Sequence, residues 1–96
     1  SVYEDNNTPS NFVLQQNYPN PFNPTTTIKY AVPVKSKVDI TVYNIAGKKI
    51  ETLLNKTKSP GYHKIKWQAS GLPSGVYFYR IQSENFSEVK KCILVK

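Results

Sequence analysis

Apolar and polar positions alternate along most of this chain. Ile28, Tyr30 and Val32 alternate with Lys29 and Ala31, and Val38, Ile40 and Val42 with Asp39, Thr41 and Tyr43. His63, Ile65 and Trp67 alternate with Lys64 and Lys66. A period of two puts successive side chains on opposite faces of a strand, and no window shows the 3.6-residue period of an amphipathic helix. Turn-forming clusters separate the runs: Ile45-Ala-Gly-Lys48, Thr57-Lys-Ser-Pro-Gly61, Ser70-Gly-Leu-Pro-Ser-Gly75 and Ser83-Glu-Asn85. Strands are therefore expected near 12–15, 26–32, 38–43, 49–54, 63–67, 76–82 and 86–95. Short strands at about 8–12-residue spacing predict an all-β fold, an immunoglobulin-like β-sandwich of about seven antiparallel strands. A partly open barrel of the OB type is the competing architecture. The inward set should comprise Ile28, Tyr30, Val38, Ile40, Val42, Ile65, Trp67, Tyr77, Tyr79, Ile81, Cys92 and Leu94.

One segment breaks the alternation. Residues 14–30 read Leu-Gln-Gln-Asn-Tyr-Pro-Asn-Pro-Phe-Asn-Pro-Thr-Thr-Thr-Ile-Lys-Tyr, with Pro19, Pro21 and Pro24 crowded together. Proline fixes φ, lacks a donor and pushes the preceding residue to extended conformations, so helix and central strand are both excluded. An ordered, extended lead-in is expected, with Tyr18 and Phe22 as its apolar anchors. Asn17, Pro19, Asn20, Pro21, Phe22, Asn23 and Pro24 make up this structural signature, and none of them is chemically reactive.

Composition narrows the function. The 96 residues suffice for one small domain. Residues 1–11 are polar and begin without Met. They are expected to be a linker from an upstream cargo domain, with residues 12–96 as the folded unit. The formal net charge is +7, but the lysines are scattered from Lys29 to Lys96 and Arg80 is the sole arginine. A solvated basic sheet surface explains that better than a nucleic-acid site. On the strand at 76–82, Tyr77, Tyr79 and Ile81 form the more apolar face, which leaves Phe78 and Arg80 outward. No apolar run approaches the ~18 residues of a spanning helix, so a transmembrane protein is not expected. His63 has no partner at ligand spacing, the six acids are dispersed, and the serines lack a nucleophile-elbow context. No metal, cofactor or enzymatic activity is expected. Cys92, the single cysteine, reads as a small buried apolar residue.

Taken in order, several segments resemble a known family. They are the Asn-Pro opening at 14–30, Val38-Asp-Ile-Thr-Val-Tyr-Asn-Ile-Ala-Gly47, Gly61-Tyr-His-Lys-Ile-Lys-Trp67, Leu72-Pro-Ser-Gly-Val-Tyr-Phe-Tyr-Arg-Ile81 and Lys90-Lys-Cys-Ile-Leu-Val-Lys96. Together they resemble the type A C-terminal sorting domain of the type IX (Por) secretion system, over about residues 12–96. The resemblance implies an Ig-like sandwich at the end of a larger secreted or cell-surface bacterial protein. It implies export through the periplasm to the cell surface or medium, recognition by the outer-membrane type IX machinery, and cleavage upstream by a sortase-like peptidase. The sorting motifs then map onto Gly75, Tyr77, Tyr79, Lys90, Lys91, Cys92, Leu94 and Lys96. Cys92 stands where the family usually has Met, an exchange of one soft apolar residue for another. The opening also resembles the Ig-like fold of flagellar hook-capping proteins, at fold level only.

Two other functions compete with a sorting signal. An adhesive or carbohydrate-binding accessory module of a secreted enzyme should display an exposed aromatic platform. A structural spacer should tolerate loss of its last residues. A sorting domain should depend on its final strand, whose face carrying Lys91 and Ile93, with Lys96 beyond, is expected at an edge that a receptor can reach.

Overall fold

A computed structural model describes residues 8–96. Its seven strands are β1 (Val13–Leu14), β2 (Thr25–Val32), β3 (Ser36–Asn44), β4 (Lys49–Lys58), β5 (Gly61–Gln68), β6 (Gly75–Ser83) and β7 (Phe86–Leu94). They form two antiparallel sheets, a three-stranded one in the order β1-β2-β5 and a four-stranded one in the order β4-β3-β6-β7. The chain crosses between them at β2–β3, β4–β5 and β5–β6. The architecture is the expected Ig-like sandwich. Most of the expected linker, residues 1–7, lies outside the described residues.

Inward positions follow the period of two. Ile28, Val32, Val38, Ile40, Val42, Tyr79, Ile81, Cys92 and Leu94 are each fully buried. Trp67 lies at the centre of an aromatic cluster, 5.3 Å from the Phe22 ring and 5.8 Å, edge-on, from that of Tyr77. Burying each large apolar side chain contributes roughly 1.5–3 kcal/mol, so Phe22 is as much a core residue as any on a strand.

Three expectations require correction. Ile65 is only partly buried, because β5 is an edge strand and its side chains are flanked by a neighbour on one side alone. β4 does not stop at Leu54 but continues through the polar Asn55-Lys-Thr-Lys58, paired with Ser36–Asp39 of β3. The connection to β5 is then only Ser59-Pro60. Backbone hydrogen bonds hold this extension without burial of side chains, so no apolar alternation marks it. Tyr18 is 80% exposed; the anchors of the lead-in are Phe22 and the buried Asn17.

Candidate functional site: the clamped C-terminal strand

Strand β7 is an edge strand, and an edge presents unpaired N–H and C=O groups. Its final residues are not left open, because the Asn-Pro lead-in runs alongside them. Phe22 N–H donates to the Ile93 carbonyl (2.9 Å), and Val95 N–H donates to the Phe22 carbonyl (3.0 Å), a parallel bridge centred on Phe22 and Leu94. The Asn20 side-chain oxygen accepts from Ile93 N–H (3.0 Å), and the Gln16 amide donates to the Lys91 carbonyl (2.7 Å). The outer backbone edge of 91–95 is therefore occupied by the chain itself. The Lys91 side chain stays exposed and that of Ile93 partly so, while the backbone ladder of this stretch is covered.

Hydrogen bonds within the lead-in keep the clamp in shape. Tyr18-Pro19, Asn20-Pro21 and Asn23-Pro24 are cis peptide bonds. Between them the Asn17 amide donates to Thr26 Oγ1 (2.9 Å) and to the Pro19 carbonyl (3.2 Å), and Thr26 Oγ1 donates to the same carbonyl (2.9 Å). Pro19, Asn20, Pro21 and Asn23 are exposed and Pro24 is half-buried, so the segment is held by Asn17, Phe22 and its backbone bonds. Tyr18 still contributes through its main chain, which exchanges two 3.0 Å bonds with Thr27. Sequence reading missed Gln16 and Thr26, which carry no motif of their own. Their roles arise only where residues 16–26 fold back on themselves and meet β7.

The motif residues of β6 and β7 fall into two groups. Tyr77, Tyr79, Cys92 and Leu94 are core residues. The Tyr77 hydroxyl donates to the Pro73 carbonyl and that of Tyr79 to the Gln15 carbonyl, both at 2.7 Å. Burial raises the Tyr79 pKa and pushes the Cys92 thiol up to about 12, so Cys92 is a packed neutral thiol and not a nucleophile at neutral pH. Gly75 opens β6 at φ 155°, where side chains are disfavoured. Lys90 and Lys91 part company, as strand geometry requires. Lys90 shares the inward parity of Cys92 and pairs with Glu88 at 3.3 Å at the rim, whereas Lys91 is exposed on the outer face. Lys96 lies beyond the strand, its ammonium 2.9 Å from the Ser70 carbonyl.

Around Lys91 the outer face of the four-stranded sheet is apolar. Cross-strand neighbours Val76 and Ile93, then Phe78 and Lys91, then Arg80 and Val89 form successive rungs. Phe78 and Arg80 face outward as expected, and both are half-buried because a neighbouring loop lies beside them. The Arg80 guanidinium stands 5.2 Å over the Tyr43 ring, and the β3–β4 turn forms one wall of the cleft that Phe78 lines. Among the described residues no cluster of His, Cys, Asp or Glu could hold a metal ion, and no helix is long and apolar enough to cross a membrane.

The fold and the clamp define an Ig-like module whose first ordered segment and last strand are one structural unit. Residues 16–96 match the family model of the secretion system C-terminal sorting domain, and the chain belongs to that family. Such a domain is a sorting signal of the type IX, or Por, secretion system. It engages the secretion machinery, directs export to the cell surface or the medium, and is not itself catalytic. No curated protein matches the chain. Among solved structures it is similar to that of dimeric latent PorU from Porphyromonas gingivalis, with a TM-score of 0.67 and 20% identity. The match covers 88% of this chain but only 9% of PorU, so the shared feature is the sandwich fold within a much longer protein.

Proposed function

We propose that the outer-membrane type IX machinery reads this domain through the outward side chains of its C-terminal strand. Lys91, Ile93 and the terminal Lys96 make the contact, while Lys90, Cys92, Leu94, Gly75, Tyr77 and Tyr79 hold the strand in place. Residues 17–24 act as the brace that presents it. The observation that carries this reading is the clamp. The family's Asn-Pro opening and its terminal basic motif, far apart in sequence, are hydrogen-bonded to each other at Phe22–Ile93 and Phe22–Val95. A brace fixes the signal as a rigid surface, which lowers the ordering cost of docking. Residues 1–11 link the domain to an upstream cargo, and any cut by a sortase-like peptidase after export falls in or before them.

The test is a reporter fused upstream of the domain, carrying Lys91→Ala with Lys96→Ala. Both are exposed positions, and each change should shift stability by less than about 0.5 kcal/mol. The folded variant is expected to leave the reporter in the periplasm. Export at the wild-type rate would place recognition elsewhere on the sandwich.

A further inference from the structure

The two sheets carry charge very differently. Every carboxylate among the described residues (Asp39, Glu51, Glu84, Glu88) lies on the four-stranded sheet or its β6–β7 turn. The outer face of the three-stranded sheet carries Lys29, Lys64 and Lys66, all exposed, and no acid among those residues. Lys29 and Lys64 are direct cross-strand partners. Like charges placed opposite one another destabilise a sheet, so this pairing contributes nothing to folding.

The surroundings of that pair give it a shape. Two shallow clefts share Lys29 and Lys64 as a common wall. One extends to Tyr18, past Thr27 and Gln15, and the other extends to Tyr62. Tyr18 is 80% and Tyr62 65% exposed, high values for rings of that size. Tyr18 bridges to Thr27 on one side of β2 and Tyr62, on β5, faces Ala31 on the other, so their backbones stand about four strand residues apart along the sheet and two strand spacings across it, roughly 16–17 Å in all. The result is a diagonal track across the sheet: a ring, a cleft, two ammonium groups, a second cleft, a second ring.

We infer that this face binds an anionic polysaccharide, a chain of sugar rings bearing carboxylate or phosphate groups. The ammonium groups take the anions, and the tyrosines take the apolar faces of the sugar rings at either end. Two features select this partner. Charge complementarity favours a polyanion. The spaced aromatic ends suit a polymer of rings. The face lies on the opposite sheet from β7, so the inference stands apart from the sorting role.

The test titrates the 96-residue chain with sodium polygalacturonate at low ionic strength, followed by amide chemical shifts and calorimetry. Saturable binding is expected, with shifts confined to 15–18, 27–31 and 62–66. Lys29→Gln with Lys64→Gln should weaken it at least tenfold, taking about fivefold per lysine, without lowering the melting temperature. Tyr62→Ala should weaken it about two- to tenfold. Lys48→Gln with Lys49→Gln, on the other sheet, should leave it within about twofold. Neutral dextran should not bind, and polyphosphate, which has charge but no rings, should bind more weakly than polygalacturonate. No binding, indifference to the Lys29 and Lys64 changes, or equal binding of polyphosphate or dextran would each overturn the inference. Tighter binding of oligo-dT or of phosphatidylglycerol vesicles would overturn it too, reassigning the face to nucleic acid or to a lipid surface.

Discussion

Phe22 and Leu94 are neighbours in a parallel bridge: residues 72 positions apart meet where the proline-rich lead-in lies against the last strand. Leu94 is fully buried and Phe22 nearly so, and the backbone of Phe22 both donates to Ile93 and accepts from Val95. The brace and the terminal motif should therefore fail together.

Phe22→Ala tests that coupling. It removes a buried ring packed on Trp67 and should cost about 3–5 kcal/mol by transfer and cavity terms together. Urea denaturation measures the loss. Amide exchange at Ile93 and Val95 should accelerate more than at Ile40 or Val42, because their hydrogen bonds depend on the displaced segment.

Asn17 holds the bend of the lead-in with its side-chain amide. Asn17→Ala deprives Thr26 Oγ1 and the Pro19 carbonyl of a donor in a buried setting and should cost about 1–3 kcal/mol. Thr26→Val removes the partner. The double variant should cost clearly less than the sum, as expected for two members of one network.

Cys92 should be inert in the native protein. Iodoacetamide at pH 8 should label it only at the rate of unfolding, and rapidly in urea. The raised thiol pKa also sets a pH dependence. The folded state holds its proton up to about pH 12, while the unfolded thiol ionises near 9. The stabilisation is full below about pH 9 and should fall by roughly 1 kcal/mol per pH unit from there toward 12. Buried Tyr30 and Tyr79, whose pKa values burial also raises, add a loss of the same sign above their ordinary value of about 10. Denaturation midpoints between pH 7 and 11 check this; Cys92→Ala should flatten the first part of the decline.

Gly75→Ala places a side chain at φ 155° on the first residue of β6 and should cost about 1–3 kcal/mol of strain. Gly71→Ala, in the preceding turn, meets neither that constraint nor any nearby atom and should stay within about 0.5 kcal/mol. The difference in thermal midpoint between the two is the measurement.

The alternation of Ile28-Tyr30, Val38-Ile40-Val42 and Tyr77-Tyr79-Ile81 determined the strands, their inward faces and the sandwich class. A period of two is a local property that burial on one face reads directly. Proline crowding likewise announced an irregular segment, because the constraint lies within each residue. The tertiary structure decided the rest. It placed the edge strand β5 so that Ile65 is half-covered, and it drew the polar 55–58 into β4 through backbone pairing and one side-chain hydrogen bond, from Asn55 to Asp39. It also turned Asn17 inward and Tyr18 outward. It joined Gln16, Asn20 and Phe22 to Lys91, Ile93 and Val95, and set Lys29 beside Lys64. No local pattern encodes those pairings, because they depend on which strands become neighbours, and that is settled only when the two sheets close over a shared core.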